Sequence, residues 1–539
     1  MEQSYATTRA QFKWDRRERF NFAADVVDGW AARTPHTPAI KVAGPGGPPV
    51  ERSYMQLAEA SRRCANVLSA QGVGRGDVVL LVLTPQPVWW EAVTACLRMG
   101  AVVSPGTIQL SAKDIAYRVQ SSEAACIITD AANAAKVDEV TAQCPSLKIR
   151  VIVGASLPGW VDYANAMETA SPDFPRVETA SDETAICYFT SGTTGHPKMV
   201  LHTQASFGIG HEVTGRFWLD LAPGEVHWNV GDMGWAKAAY SSYFGPFICG
   251  ATVFAYSEPR FDARKVLELM QTHSISSVCG APTIYRMLVQ EDLSGFAFPK
   301  LRQCLAAGEP LNPEIIAVWQ EATGLMIREG YGQTETAILC AAFPGVEIRP
   351  GSMGKAAPGF DLQVVDEKGN VLAAGEEGQI AVRVKPERPV GLFKEYWKSP
   401  EKTLESFQGD WYLTGDRAVT DEDGYFWFVS RTDDVILSAG YRIGPFEVES
   451  ALLEHPAVAE SAVVSSPDTT RGEVVKAFIV LAEGHVGNDT LVGELQQHVK
   501  TTTAPYKYPR RIEFVESLPK TVSGKIRRVE LRAKEWANG

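Results

Sequence analysis

Short apolar runs bounded by turn residues recur through the first 340 residues and predict buried strands. They lie at residues 78–83, 126–129, 149–153, 252–256 and 277–279. Between such runs, residues 57–68 and 263–272 carry apolar side chains at the spacing of an amphipathic helix. Because strands alternate with helices, this part of the chain is expected to form an α/β layered architecture.

The pattern changes after Gly351, where strand-like segments are separated by glycine turns such as 366–370 and 421–424. A β-rich subdomain is expected there. Two amphipathic helices and two valine-rich strands follow beyond residue 431, and they predict a small α+β domain. They lie at 447–454, 490–501, 462–465 and 474–481. The chain is therefore divided into a large N-terminal domain, residues 1–431, and a small C-terminal domain, residues 432–539.

Composition permits several sizeable cores, since the chain has 539 residues and 45% of them are hydrophobic. The formal net charge of −12 argues against a general attraction to nucleic acid or to an anionic membrane. The longest aliphatic run near the N-terminus, residues 78–83, is too short to span a bilayer. A basic stretch near the C-terminus is open to two interpretations, a solvated helix face or a local phosphate-binding surface. Its members are Lys520, Lys525, Arg527, Arg528, Arg532 and Lys534.

Nine cysteines between Cys64 and Cys340 include no Cys-x-x-Cys pair, which argues against a zinc site or a disulfide framework. The N-terminal segment alternates acidic and basic residues and lacks the apolar region of a secretory signal. An organellar transit peptide would be poor in acidic residues, and this segment carries several. A cytoplasmic location is therefore expected, with an organellar matrix as the disfavoured alternative.

The segment from Tyr188 to Lys198 combines glycines, hydroxyls and a lysine directly after an apolar run. Glycines allow backbone N–H groups to form an anion-binding nest, hydroxyls add donors, and a lysine supplies a point charge. The segment therefore predicts a clamp for the phosphates of a nucleoside triphosphate. It is not a P-loop, because Met199 stands where that pattern has Ser or Thr. The clamp residues are Thr190, Ser191, Gly192, Thr193, Thr194, Gly195, His196, Pro197 and Lys198.

Four further segments follow the clamp along the chain. They are Tyr331-Gly332-Gln333-Thr334-Glu335, residues 412–416, residues 431–434 running into 440–444, and residues 519–525. This ordered set resembles the adenylate-forming superfamily, which comprises acyl-CoA synthetases, peptide-synthetase adenylation domains and beetle-type luciferases. The resemblance covers nearly the whole chain, and segments 440–449 and 504–509 are most similar to the medium-chain acyl-CoA synthetase branch.

The resemblance implies an AMP-forming acid–thiol ligase. Such an enzyme uses ATP and Mg²⁺ to convert a carboxylic acid into an acyl-adenylate, and then uses coenzyme A to form an acyl-CoA. The implied catalytic residues are Lys525, which bridges carboxylate and phosphate oxygens, Thr334, which lies near the α-phosphate, and Glu335, which binds the metal. Tyr331 has the ring to stack on adenine, and Asp416 has the acceptors for ribose hydroxyls.

Further residue roles follow from the same resemblance. Besides the clamp, the residues implied in ATP binding are Glu309, Glu329, Gly330, Tyr331, Gly332, Gln333, Thr334, Asp416, Arg431, Arg442 and Lys525. The residues implied in CoA binding are Ala439, Gly440, Tyr441, Arg471, Tyr506, Lys507 and Tyr508. Because the second half-reaction needs a thiol where the lysine had been, the small domain is expected to be mobile and to rotate about Asp433.

The acyl pocket is expected to have an open floor, because Gly332 stands where acetate-specific relatives carry tryptophan. Each buried methylene is worth ~0.8 kcal/mol, so an open floor favours a medium-chain, branched or aromatic acid. The implied pocket residues are Trp235, Gly280, Ala281, Pro282, Gly308 and Gly332. Benzoate-type and short-chain acids are alternative substrates.

Three other functions share parts of this pattern. A luciferase-like oxidoreductase would share the adenylation half, and a carrier-loading adenylation domain would transfer the acyl group to a protein thiol. A non-catalytic binding module would be expected to lack Lys525 or Glu335. The expected partners are a carboxylic acid, ATP and coenzyme A, without nucleic acid or an integral membrane segment, and the sequence does not specify an oligomeric state.

Overall fold

The computed structural model describes residues 4–190, 197–258, 260–438, 441–468, 471–520 and 526–538. The strands are β1 Pro38–Ala43, β2 Val50–Ser53, β3 Val78–Val82, β4 Val102–Pro105, β5 Cys126–Asp130, β6 Ile149–Val153, β7 Val161–Asp162, β8 Thr184–Thr190, β9 Lys198–Thr203, β10 Val226–Val230, β11 Thr252–Tyr256, β12 Ser277–Gly280, β13 Gln303–Ala307, β14 Ile327–Tyr331, β15 Cys340–Ala341, β16 Lys355–Ala356, β17 Leu362–Val365, β18 Glu377–Arg383, β19 Glu395–Tyr396, β20 Phe407–Gln408, β21 Trp411–Thr420, β22 Phe426–Arg431, β23 Ile436–Ser438, β24 Tyr441–Ile443, β25 Val458–Asp468, β26 Gly472–Leu481 and β27 Arg511–Phe514.

The helices connect these strands along the chain. They are α1 Tyr5–Gln11, α2 Asp28–Arg33, α3 Tyr54–Ala70, α4 Pro87–Met99, α5 Ala112–Ser122, α6 Ala131–Val140, α7 Tyr163–Thr169, α8 Gln204–Gly208, α9 Ala236–Ala239, α10 Gly245–Cys249, α11 Ala263–Thr272, α12 Pro282–Leu288, α13 Pro313–Thr323, α14 Pro400–Glu405, α15 Pro445–Leu453, α16 Asp489–Thr502 and α17 Arg528–Asn538. Among the described residues, no helix has both the length and the apolar character that a bilayer crossing requires.

Two large sheets form most of the N-terminal part. The first has the strand order β16-β15-β14-β13-β12-β10-β11-β1-β2, and its pairs from β1 to β14 are parallel. The second has the order β19-β9-β8-β4-β3-β5-β6-β7, with β9 antiparallel to both β8 and β19. Parallel strands place all their carboxyl ends on one edge, and this is where α/β proteins build ligand sites.

Two smaller sheets complete the chain. The first pairs β17, β18, β21 and β20, with β22 added to β21, and it is the predicted β-rich subdomain. The second pairs β24, β23, β26 and β25, with β27 added to β26, and α15 and α16 contribute to its core. The predicted α+β character of the C-terminal segment is thereby confirmed.

Local sequence explains where the helices begin and end. Helix α3 starts at a capping box, in which the Ser53 side chain accepts from the Gln56 N–H and the Gln56 side chain accepts from the Ser53 N–H. Helix α4 has Pro87 in its first turn and ends at Gly100, whose φ of 76° is the left-handed conformation that glycine adopts without strain. The largest buried cluster joins both large sheets to these two helices.

The predicted strands and helices are confirmed, and the basic C-terminal stretch needs a correction. Arg528 does not lie on a solvated helix face, because its guanidinium forms a two-point ion pair with Glu449, at 2.9 Å and 2.5 Å. The Glu449 side chain is buried and also accepts from the Val463 N–H at 2.8 Å. This ion pair joins the start of α17 to α15, whose Glu449 also bonds strand β25 of the C-terminal sheet.

Candidate active site

The candidate site is a cavity of about 1460 Å³ at the carboxyl ends of β13 and β14. Residues 308–310 and 332–335, which follow these two strands, form part of its wall. Asp416, from the β-rich sheet, forms another part, and residues of α15 and α17 in the C-terminal domain also line the cavity. The cavity therefore lies between the two predicted domains.

Asp416 is the centre of a hydrogen-bonded group on one wall. Its Oδ2 accepts from the Tyr331 hydroxyl and from Gln333 Nε2, both at 2.6 Å. Gln333 Nε2 also donates to the Thr414 carbonyl at 2.8 Å, and Arg431 Nε lies 3.9 Å from Asp416 Oδ1. Burial and the neighbouring carboxylate raise the pKa of Tyr331 well above its usual value. An aromatic ring, a fixed carboxylate and an arginine thus stand together, as nucleoside binding requires.

Thr334 and Glu335 lie in the turn after β14, on the cavity wall. Glu335 Oε1 accepts from the Tyr396 hydroxyl at 2.7 Å. The pKa of Glu335 is raised above its usual value, because the effect of burial exceeds the opposing effects of the Tyr396 hydrogen bond and the Lys198 charge. The described residues contain no group of three or more His, Cys, Asp or Glu side chains that could hold a metal. A single hard oxygen ligand nevertheless fits Mg²⁺, which takes one or two carboxylates together with substrate phosphates.

The two ends of the phosphate clamp also line the cavity. Thr190 ends β8 and Lys198 begins β9, and the two residues are paired across the strands. Lys198 Nζ lies 4.9 Å from the centre of the Tyr396 ring. Pro197 lines the cavity too. The remaining clamp residues, Ser191, Gly192, Thr193, Thr194, Gly195 and His196, lie outside the described residues.

Glu309 and Glu329 contribute carboxylates to the wall. Glu309 Oε2 accepts from Arg286 at 3.1 Å and from Thr283 at 3.4 Å, and Glu329 Oε1 accepts from the Leu311 N–H at 2.9 Å. The other oxygen of each carboxylate is buried and has no hydrogen-bond partner among the described residues. Burial raises the pKa of Glu329 to about 8.

The predicted acyl-pocket residues divide into two groups. Gly308 and Gly332 line the cavity, and a Cβ at Gly308 would meet no atom within 4 Å. A Cβ at Gly332 would lie 2.8 Å from the Ala337 carbonyl oxygen. A close approach of the backbone therefore favours glycine at this position, in addition to any role in keeping the floor of the acyl pocket open. The cavity lining does not include Trp235, Gly280, Ala281 or Pro282.

The described CoA-binding candidates lie on the C-terminal domain, away from the cavity lining. The Tyr441 and Tyr506 rings stack on each other, with centres 4.3 Å apart. Lys507 forms an ion pair with Glu447. Tyr508 lies beside Lys500 and Arg510, at 4.1 Å and 4.8 Å from its ring centre. Arg471 is exposed. Ala439 and Gly440 lie outside the described residues.

Arg442, predicted to bind ATP, also lies off the cavity lining. Its Nη2 is 3.5 Å from Glu367 Oε1, in the β-rich subdomain. Lys525 lies outside the described residues, but Lys520 and Ile526, which flank its segment, pair as a β-bridge and line the cavity. At the predicted hinge, Asp433 Oδ1 is 3.3 Å from Arg431 Nε, and the Asp433 carbonyl accepts from Arg532 at 2.8 Å.

Sequence reasoning missed several residues of the cavity wall. Tyr396 lies in the two-residue strand β19, which carries no periodic pattern, and Thr283 and Arg286 belong to an otherwise ordinary helix. Further wall residues that no motif indicated are Met287, Gln290, Met353, Gln379, Phe428 and Glu460.

Comparison with known proteins decides the family. Residues 27–397 match the family model described as AMP-binding enzyme, and residues 447–525 match the model described as AMP-binding enzyme C-terminal domain. The chain belongs to the AMP-binding enzyme family. It is 53% identical over 542 residues to acyl-coenzyme A synthetase ACSM3, mitochondrial, of Mus musculus. This alignment covers 99% of the chain and 93% of that relative. The chain is 51% identical over 528 residues to ACSM4, mitochondrial, of Mus musculus, covering 96% and 91%.

Solved structures agree with this membership. The anthranilate CoA ligase AuaEII in complex with anthranoyl-AMP superposes with a TM-score of 0.88 at 28% identity, covering 97% of this chain and 98% of that one. ATP-bound MatB from Rhodopseudomonas palustris gives 0.85 at 26%, covering 95% and 98%. These matches confirm the predicted adenylate-forming acyl-CoA synthetase family and its α/β fold class. The cytoplasmic location predicted from the sequence finds no support, since both Mus musculus relatives are named mitochondrial.

Proposed function

We propose that this AMP-binding enzyme activates a medium-chain, branched or aromatic carboxylic acid with ATP in the described cavity and transfers the acyl group to coenzyme A. The observation that carries the proposal is the convergence of Lys198, Thr334, Glu335 and Asp416 in the lining of one cavity. These residues come from three separate sequence segments, and together they offer phosphate, metal and ribose ligands in one cavity. Family membership supports the use of ATP, Mg²⁺ and coenzyme A.

The first half-reaction needs charge neutralisation and positioning. A carboxylate oxygen of the acid attacks the α-phosphorus of ATP, and the bond to the β-phosphate breaks, so pyrophosphate leaves. Thr190 and Lys198 hold the departing phosphates, and the Thr334 hydroxyl donates to the α-phosphate. Glu335 would hold Mg²⁺, and the bound ion would supply positive charge beside the phosphates.

The nucleoside part of ATP is assigned to the wall around Asp416. The ribose hydroxyls donate to the Asp416 carboxylate, and Arg431 donates to the same sugar. The Tyr331 ring, fixed through its hydroxyl at 2.6 Å, gives adenine a flat apolar face. Glu309 and Glu329 complete this side of the site.

Lys525 supplies the bridging ammonium during adenylation. In the second half-reaction the thiolate of coenzyme A attacks the acyl carbon, and AMP leaves. We assign Asp433 as the pivot between residues 1–431 and 432–539. The rotation would bring Ala439, Gly440 and Tyr441 to the cavity, with Arg471, Tyr506, Lys507 and Tyr508 receiving the CoA nucleotide. The Tyr441–Tyr506 stack must then open, because rings 4.3 Å apart leave no room for a base between them.

Within this proposal, aromatic acids are supported by the names of solved relatives. Solved relatives include the anthranilate CoA ligase and a benzoate CoA ligase from Burkholderia xenovorans LB400, at 28% identity each.

We also propose a mitochondrial location, because the similar proteins ACSM3 and ACSM4 are named mitochondrial. Fractionation of cells that produce the full-length protein tests it, and recovery in the cytosol alone would overturn it.

The function is tested by measuring AMP, pyrophosphate and acyl-CoA with acids from acetate to decanoate and with benzoates. Formation of stoichiometric acyl-CoA without light would exclude a luciferase-like oxidation, and transfer to a carrier protein but not to coenzyme A would favour a carrier-loading enzyme.

Lys525→Ala should lower the rate of adenylation by ~10²–10³-fold and retain thioester formation from a preformed acyl-adenylate. Equal losses in both half-reactions would refute the role assigned to Lys525.

A further inference from the structure

One buried histidine touches the turn that carries Thr334 and Glu335. His202 lies in β9 and is fully buried, and its Nε2 is 2.7 Å from the Thr334 carbonyl oxygen. Because a carbonyl only accepts, Nε2 must carry the proton. Nδ1 therefore accepts from the Ser206 hydroxyl at 3.1 Å. Both nitrogens are used and one tautomer is fixed.

The His202 ring is also packed on one face. It stacks on Phe207 with ring centres 3.5 Å apart and planes tilted by 27°. Burial lowers the pKa of His202 to about 3, so the imidazole is neutral at physiological pH. A neutral, stacked ring with both nitrogens bonded is a rigid support rather than a proton carrier.

The supported atom belongs to a turn, where a strand ladder no longer holds the backbone. Close to Thr334, the Glu335 carbonyl accepts from the Phe393 N–H at 2.7 Å, and the Thr336 N–H donates to the Gln333 carbonyl at 3.2 Å. His202 supplies the hydrogen bond to the carbonyl of Thr334 itself. Removing it would leave this partly buried carbonyl without its donor, which destabilises the turn.

His202 also connects this turn to the phosphate clamp. It follows Lys198 by four residues in the same strand, so both side chains lie on one face of β9. Tyr396 in the neighbouring β19 bonds Glu335 and lies beside Lys198. Strands β9 and β19 therefore hold Lys198, Thr334 and Glu335 in a fixed relation.

We infer that His202 is a positioning residue for adenylation, which holds the Thr334 carbonyl through Nε2–H and so fixes the Thr334 hydroxyl and the Glu335 carboxylate relative to Lys198. The inference rests on the proposed roles of Thr334 and Glu335. A displacement of about 1 Å at reacting groups can cost on the order of 10²-fold in rate. The effect should fall on the first half-reaction, in which those groups act.

The test compares His202→Met, which keeps volume and loses the donor, with His202→Gln, whose amide N–H can reach the Thr334 carbonyl. Adenylation is measured by pyrophosphate exchange, and thioester formation is measured from a synthetic acyl-adenylate. We expect His202→Met to lower the adenylation kcat by about 10²-fold, with a smaller change in KM for ATP and thioester formation within a few-fold of wild type. His202→Gln should recover most of the loss.

His227→Met is a matched control. His227 is also fully buried, with ring nitrogens 2.9 Å and 2.8 Å from the Ser277 and Ser241 hydroxyls, but it lies in β10 and off the cavity lining. It should lower stability without a selective loss of adenylation. If His202→Met does not fold, His202→Asn replaces it, since its shorter amide does not reach Thr334.

Three results would overturn the inference: near-native adenylation without the donor, equal losses in both half-reactions, or no recovery with Gln. Glu335→Gln is measured in parallel. If that variant adenylates normally, the role of Glu335 in the proposed function fails whatever His202 does.

Discussion

Glu329 is a carboxyl group whose protonation should affect folding. Its pKa is raised from 4.5 to about 8 by burial, so between these values the folded protein holds a proton that the unfolded chain releases. The contribution of the neutral carboxyl group to the free energy of unfolding is therefore fully present below about pH 4.5, decreases as the pH rises, and is lost once the pH has passed about 8. The total is on the order of a few kcal/mol.

Glu329→Gln should remove this pH dependence. Between pH 5 and 8 the wild-type melting temperature should fall relative to that of the variant, measured without nucleotide by calorimetry. Glu314→Gln, at an exposed position in α13, is the control and should leave the wild-type profile unchanged. Parallel profiles for Glu329→Gln and wild type would mean that Glu329 is ionised in the folded protein.

Gly332 has too little space for a side chain, as its Cβ would lie 2.8 Å from the Ala337 carbonyl oxygen. Even Gly332→Ala should therefore lower stability by ~1–3 kcal/mol and reduce kcat/KM for every acid tested. A selective loss of long acids with normal stability would contradict this. Gly47→Ala is the control, since no atom lies within 4 Å of its Cβ position. Gly332→Trp, which would introduce the tryptophan of acetate-specific relatives, should therefore displace the backbone as well as fill the acyl pocket.

Helix α16 contains a glycine that the structure does not require. Gly493 is exposed in the middle of the helix, and a Cβ there would meet no atom within 4 Å. Gly493→Ala should stabilise the helix by about 0.5–1 kcal/mol and leave kcat unchanged. The measurement is hydrogen exchange of the α16 amides. Gly409→Ala has equal space but a φ of 59°, so the same change should destabilise its turn, and stabilisation at both sites would refute the argument.

At this scale the sequence predicted most elements, because apolar periodicity and glycine turns record which faces are buried. Helix 263–272 and the strands of the C-terminal domain are examples. Elements without a clear apolar periodicity were not predicted. Strand β19 has two residues, yet it brings Tyr396 to Glu335, and His202 is one buried histidine within an apolar strand. Contacts between distant segments depend on the tertiary fold, which local spacing does not encode.

The arrangement of the two domains depends on contacts that a rotation would have to break. Gly444, before α15, approaches β22 so closely that a Cβ would lie 2.4 Å from the Val429 carbonyl oxygen. Asn312 and Ser450 are joined by a 3.3 Å hydrogen bond across the same interface. Lys520 and Ile526 line the cavity in this arrangement. Under the role proposed for Lys525, this arrangement corresponds to the adenylation step rather than to thioester formation.

Gly444→Ala should accordingly disfavour this arrangement, because the methyl group fits only if α15 moves away from β22. We expect adenylation to slow by at least tenfold, a barrier increase of about 1.4 kcal/mol. Thioester formation from a synthetic acyl-adenylate should be equal to wild type or faster, since the competing arrangement is weakened. Ser450→Ala removes a hydrogen bond at the same interface without a clash and should have a much smaller effect. If Gly444→Ala slows both half-reactions equally while the protein remains folded, the contact between Gly444 and Val429 persists through the whole cycle, and the rotation must occur elsewhere.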